Sequence, residues 1–415
     1  MSESIERNNH MPIEPRDVAE DIDEDEELVD TEELDESSDS VIDEDMGSQP
    51  FRVVYQTNNF FLPQIRDLIT DGEDFNLRPE YQRRLRWSNQ QKSLLIESLL
   101  LNVPIPSVFL YENDLARYEV MDGQQRLNAI KEFLSNDFAL RGLQIVPSLN
   151  GKTYNKLPPK VKRNLDRASI SAIVLLQESQ GKIRKAGASR FYELRRFVFE
   201  RLNTGGKRLS AQEIRNAIYG GIFNELIVKL SRDVTFTKIW GIPPYSKSDP
   251  NEYYEDEARQ KNTLYKTMGD CQLVLRFFAL RDESFIQGSM KSMLDKCMQR
   301  YIDCTSDEAA TLGERFLSVL HLADELFDGH PFCLTLPRRG VAYRPVAGIY
   351  DGVMIALDEV WGSRDKLLLN KKLIKADYIN LISKHGEGVL TGSANTAADI
   401  KNRIEIFRKF FGDYL

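Results

Sequence analysis

The charge of this chain is divided so unevenly that its first fifty residues and the remainder cannot follow the same folding rules. Residues 1–46 hold 20 of the 64 acidic residues and only two basic ones, Arg7 and Arg16, a local charge of -18. The remaining residues, 47–415, carry 44 acidic and 53 basic side chains, or +9, so the formal net charge of -9 averages two opposite parts. The segment 1–50 has almost no aromatic residues and contains acidic runs such as Asp23 to Glu27. It cannot bury enough apolar surface to offset its ordering entropy and is expected to be a disordered acidic tail. Asp21, Asp23 and Asp25 have the spacing that opens a calcium loop, but Glu26 stands where that loop needs glycine.

Past the tail the composition is that of a globular protein, with 41% hydrophobic and 10% aromatic residues over the whole chain. At 415 residues, two or three domains are expected. No apolar run approaches the length of a membrane span, and the N-terminus lacks the pattern of a secretory signal, so a cytoplasmic protein is expected. Cys271, Cys297, Cys304 and Cys333 form no CxxC pair and read as reduced, buried thiols.

Phe51, Val53 and Tyr55 alternate as in a short strand, and Asn59 to Thr70 has the spacing of a helix with Leu62, Ile65 and Ile69 inward. Ser88 is placed to cap a helix carrying Leu94, Leu95, Leu99 and Leu100. Ser107–Tyr111 and Arg117–Met121 read as strands, and Ile170–Leu176 as a buried one. Ser210-x-x-Glu213 is a capping box. From about Gly221 the texture turns helical, with apolar periodicity over 222–230, 264–280, 312–327, 350–361 and 400–411. The expected division is a tail at 1–50, an α/β domain at 51–220 and an α-helical domain at 221–415.

Three constellations could carry chemistry. Asp122-Gly123-Gln124-Gln125-Arg126 follows a strand and opens a helix. A helix N-terminus presents unpaired N–H groups and a positive dipole end, glycine permits close approach, and arginine grips phosphate oxygens. Asp122 could hold a cation, orient a water or fix Arg126; a plain strand-to-helix turn with solvated polar residues fits the same letters. The second is Tyr81-Gln82-Arg83 with Arg84, Arg86 and Trp87, where arginines interleaved with aromatics suit phosphates and stacked bases. An ordinary surface loop suits them equally. The third runs from Arg195 through Asn203, Gly205, Gly206, Lys207 and Arg208 to Glu213, Arg215 and Asn216, within a markedly basic stretch. Its paired glycines could form an anion-binding nest.

Absences narrow the chemistry. No Walker A loop, G-x-S-x-G elbow, H-E-x-x-H site or strand-linked G-x-G-x-x-G occurs, and the four histidines form no convincing HNH pattern. Any reaction would rest on carboxylates, amides and arginines, with or without a divalent metal such as magnesium, and the residues themselves spell out no metal-ligand set.

Read together and in order, Pro79-Glu80-Tyr81-Gln82-Arg83 with Trp87, Pro104-Ile105-Pro106, Asp122 to Arg126, and Phe199-x-Arg201-Leu202-Asn203-x-Gly205-Gly206-x-x-Leu209-Ser210-x-x-Glu213-x-Arg215 resemble the N-terminal domain of the GmrSD-type modification-dependent restriction endonucleases. That domain belongs to the ParB/sulfiredoxin-like superfamily. The resemblance covers about residues 51–220, and the helical half with Thr391-Gly392-Ser393 looks like the usual extension. It implies an α/β domain that binds, and in some members hydrolyses, a nucleoside triphosphate, followed by a mainly α-helical domain. It implies that Asp122, Gln125 and Arg126 carry any hydrolysis, and that Gly123 and Gln124 meet the nucleotide with Tyr81, Gln82, Arg83 and Asn203. Arg84, Arg86, Lys207 and Arg208 are the DNA-binding candidates.

The implied role is a nucleotide-dependent DNA sensor in anti-phage or restriction-type defence. The alternative is a non-enzymatic DNA-binding adaptor. Because no HNH constellation accompanies these motifs, a separate nuclease or modification-system partner is expected rather than self-contained cleavage. An oligomer is compatible with the sequence. The acidic tail could compete with phosphate ligands as a DNA mimic, or serve only solubility.

Overall fold

The computed structural model describes residues 54–70, 75–76, 87–114, 117–176, 197–198, 201, 210–245, 256–334, 344–391 and 396–415. These residues fall into two compact units, one built from 54–278 and 294–317, the other from 279–293 and 318–415.

In the first unit, a mixed sheet of five strands is crossed by four helices. The strands are β1 (Tyr55–Phe61), β2 (Phe75–Asn76), β3 (Val108–Asp114), β4 (Arg117–Asp122) and β5 (Ser169–Leu175), and their spatial order is β1-β5-β3-β4-β2. β1 pairs antiparallel with β5, β5 parallel with β3, and β3 antiparallel with β4. The expected strands at 107–111, 117–121 and 170–176 are all present, the latter two within a residue and the first running three residues further, to Asp114. The helices are α1 (Leu62–Thr70), α2 (Asn89–Leu100), α3 (Gln124–Leu134) and α4 (Pro159–Arg167). Val108, Leu110, Val120, Ala172 and Val174 supply a fully buried stripe of the sheet core. Leu62, Ile65, Ile96, Ile130 and Phe133 of the helices are fully buried in the same cluster. Burying side chains of this size contributes about 1.5–3 kcal/mol each.

One expected boundary moves. Asn59–Phe61, read as the start of a helix, belongs to β1, where Asn59, Phe60 and Phe61 pair with Ser171, Ile170 and Ser169. The helix begins at Leu62, whose N–H is already taken by Ala168 O. Local periodicity gave way to pairing with a strand more than 100 residues away. The inward residues Leu62, Ile65 and Ile69 are buried as expected.

Ser88 caps α2 with a full capping box, its side chain accepting from Gln91 N while Gln91 reaches back to Ser88 N. Ser210 and Glu213 form the expected capping box on α5 (Ala211–Ile218). After α5 the described chain is helical, including Ile222–Leu230, Gly269–Leu280, Ser306–Leu326, Ala347–Glu359 and Ala397–Gly412. The stretch expected as one helix over 264–280 is two pieces, because Met268 takes a φ of 59° between them. In the second unit Ala347–Glu359 lies against Ala397–Gly412, so closely that a Cβ on Gly352 would come within 2.4 Å of the Phe407 ring. All four cysteines are buried, and none of them forms a disulfide. Among the described residues no helix is long and apolar enough to cross a membrane.

Between α3 and α4 the chain runs through two short 3-10 turns, Pro147–Leu149 and Tyr154–Lys156. Glu97 of α2 holds this span. Its carboxylate, only 4% exposed, accepts N–H bonds from Gln144, Ile145 and Val146 at 3.1, 2.8 and 3.0 Å. Burial works to raise its pKa, but the three donors prevail and hold it below the ordinary 4.5. Because the folded value is the lower one, the contribution is complete above the unfolded carboxyl's pKa and is lost as pH falls through the folded one. Glu97→Gln should therefore cost about 1–3 kcal/mol in urea unfolding at pH 7. The gap between variant and wild type should close in acid. A gap independent of pH would show that the carboxylate's charge is not what matters.

Candidate functional site

The Asp122–Arg126 segment sits where β4 ends and α3 begins. The register of β3 and β4 pairs Phe109 with Asp122, so the start of β3 and the residues before it lie beside this turn. Gly123 takes a φ of 98° and ψ of 7°, a left-handed conformation that residues with a side chain rarely adopt. A Cβ there would come within 2.4 Å of Val108 Cγ1. Glycine is thus required twice over, by backbone angle and by space. It also leaves α3 with no side-chain cap at its N-terminus.

Arg126 turns back from the first turn of α3. Its Nη2 donates to Asp122 Oδ2 at 2.8 Å, and its Nη1 donates to the carbonyls of Pro106 and, at 3.2 Å, Ser107. The guanidinium therefore ties three backbone stretches together: the end of β4, the approach to β3 and the start of α3. The arginine side chain is 13% exposed, whereas Asp122 is 50% exposed. Of the roles open to Asp122, fixing Arg126 is the one the geometry displays. Gln124 is buried in the helix face, and Gln125 is half-buried with Oε1 accepting from Trp87 N at 3.2 Å. That bond joins the turn to the residue that follows the arginine-rich segment. Tyr81, Gln82, Arg83, Arg84 and Arg86, like Asn203, Lys207 and Arg208, lie outside the described residues.

The end of the third constellation is described, and it is a buried polar network. Arg215 Nε donates to Asp295 Oδ1 at 2.8 Å, with side chains 2% and 8% exposed. Arg215 also donates to Gln212 Oε1, and Gln212 in turn donates to Asn216 Oδ1. Ser210 Oγ donates to Thr267 O at 2.6 Å. These residues anchor α5 rather than facing solvent. Sequence reasoning missed Asp295 and Glu97, because each acts on partners dozens of residues away and carries no local signal. Among the described residues no group of three or more His, Cys, Asp and Glu side chains could hold a metal ion.

Residues 65–220 match the family described as GmrSD restriction endonuclease, N-terminal domain. Over that stretch the chain is similar to a GmrSD-type N-terminal domain. The match takes in β2 through β5, the Asp122–Arg126 turn and the capped α5. No curated protein and no solved structure matches the chain.

Two substitutions test this architecture. Gly123→Ala should lose about 2 kcal/mol or more of unfolding free energy, from strain at positive φ and contact with Val108. In the Gly123→Ala/Val108→Ala double variant part of that loss should vanish, so the two losses should fall short of additivity by at least about 0.5 kcal/mol. Strict additivity would deny the contact. Asp295→Ala, which strands a buried guanidinium, should cost about 3–5 kcal/mol. A loss below 1 kcal/mol in the same denaturant titration would show that the pair is dispensable.

Proposed function

We propose that this chain is a nucleotide-responsive DNA sensor of restriction-type defence, with the triphosphate received at the Asp122–Arg126 turn. The observation that supports it is the β4–Gly123–α3 junction. A helix N-terminus with no side-chain cap and no Cβ in the way is suited to phosphate oxygens. Arg126, held rigid by Asp122 and two carbonyls, contributes a fixed positive charge beside it. Gln125 links the turn to Trp87, and Tyr81, Gln82, Arg83 and Asn203 complete the pocket in this reading. Binding at the turn would then bias the arginine-rich segment, whose Arg84 and Arg86 contact DNA together with Lys207 and Arg208. The family's description as a restriction endonuclease supports the defence role and DNA as a partner.

A magnesium ion arriving with the triphosphate fits a site with one carboxylate, since such ions are held by one or two carboxylates plus phosphates and water. Asp122 is the one that would reach it. The same carboxylate is engaged by Arg126, and this favours a second reading in which the nucleotide or DNA is bound without turnover.

Calorimetric titration of the chain with ATP, GTP, CTP and UTP, paired with a phosphate-release assay, separates these readings. Wild type should bind at least one triphosphate. Asp122→Asn, which keeps shape and removes charge, and Arg126→Ala should each weaken binding about tenfold, or 1.4 kcal/mol. No binding by the wild type removes the nucleotide reading. Binding with no phosphate release assigns the adaptor role.

A further inference from the structure

The first unit carries a groove of about 500 Å³ on the side of α4. Its floor is aliphatic: Leu100, Leu101, Val146, Leu149 and Val161. Leu101 is 41% exposed there. Its rim is cationic. Lys160, Arg163 and Arg167 are exposed, one helical turn apart along α4, and none of the three has a carboxylate partner among the described residues. Among the described residues no acidic side chain lines the groove. Asp166, the acid of α4, is engaged elsewhere, accepting from Tyr154 O–H at 2.5 Å. An aliphatic floor inside a rim of cations with no described carboxylate partner calls for a ligand that alternates aliphatic side chains with carboxylates. It lacks the aromatic platforms on which nucleic-acid bases stack.

The same chain contains such a ligand. Residues 30–46 hold nine acidic side chains, no basic one, and the aliphatic residues Leu34, Val41 and Ile42. We propose that the acidic segment 30–46 docks in the α4 groove of its own chain, with Leu34, Val41 or Ile42 on the floor and carboxylates on Lys160, Arg163 and Arg167. The tether permits it. Phe61 pairs with Ser169, two residues past Arg167, so the start of β1 lies about 20 Å from the groove's end, at 3.3 Å per strand residue. Eight residues lie between Met46 and Tyr55, and the nine Cα-to-Cα steps span up to about 30 Å when extended. A short tether raises the local concentration of the acidic segment to the millimolar range, so modest affinity suffices. The inference is independent of any nucleotide at the Asp122–Arg126 turn.

Zero-length carbodiimide cross-linking of the full chain, mapped by mass spectrometry, reads the contact directly. Carboxylates of residues 30–46 should join Lys160 at least about fivefold more often than the exposed Lys229 and Lys238, as expected for a tethered, specific partner. Arg163→Glu/Arg167→Glu, at exposed positions that leave the core intact, should abolish the preference. Leu34→Ser/Ile42→Ser should weaken it without changing the charge. Even scatter of cross-links over exposed lysines would overturn the proposal. So would cross-links found only between chains in a mixture of nitrogen-15-labelled and unlabelled protein, which would assign the groove to a second copy. Insensitivity to the aliphatic substitutions would reduce the contact to bulk charge attraction and also overturn it.

Discussion

The α/β unit depends on a single guanidinium. Arg126 reaches backward from α3 to the carbonyls of Pro106 and Ser107 and to the carboxylate of Asp122. Without it, the end of β4, the entry to β3 and the first turn of α3 would each have to be positioned separately. Arginine suits this place because its planar fork can satisfy several acceptors at once while its charge stays on. The arrangement also explains how one residue can serve structure and ligand together. A cation fixed by its own protein undergoes little rearrangement when an anion approaches, so the electrostatic field at the helix N-terminus is set in advance.

Charge is then distributed in two registers. Buried charges such as Glu97 and Arg215 are matched by donors or partners within the fold. Lys160, Arg163 and Arg167 of α4 have no carboxylate partner among the described residues and stand over an aliphatic floor. The first kind fixes positions, and the second creates attraction at a distance that salt screens. The acidic segment before the fold supplies charge of the opposite sign, and the overall value of -9 conceals both.

Much of this was legible from the residues. Ser88 and Ser210 announced their helices, because a cap and its partner lie three residues apart. The strand–glycine–helix character of residues 117–134 was readable for the same reason. What escaped involved distance. Asn59–Phe61 became strand through pairing with Ser169–Ser171, and the helix over 264–280 broke at Met268 where the chain turns. Arg126 read as a phosphate contact, yet its internal acceptors at Pro106 and Ser107 lie about twenty residues upstream. The identity of a side chain gives its chemistry, and only the assembled fold decides which partner reaches it first.

The three amides gathered by Glu97 have a consequence for loop closure. The irregular span between α3 and α4 runs from Ser135 to Pro158, and its middle is fixed from outside, by a residue on α2. A carboxylate placed there divides one long closure into two shorter ones, which lowers the entropy lost when the ends meet. The span closes on itself through Leu140 N–H to Lys152 O and Gly151 N–H to Leu140 O, and the bonds to Glu97 add to these once α2 is in place. Local opening of this span would take Val146 and Leu149 out of the floor of the groove beside it.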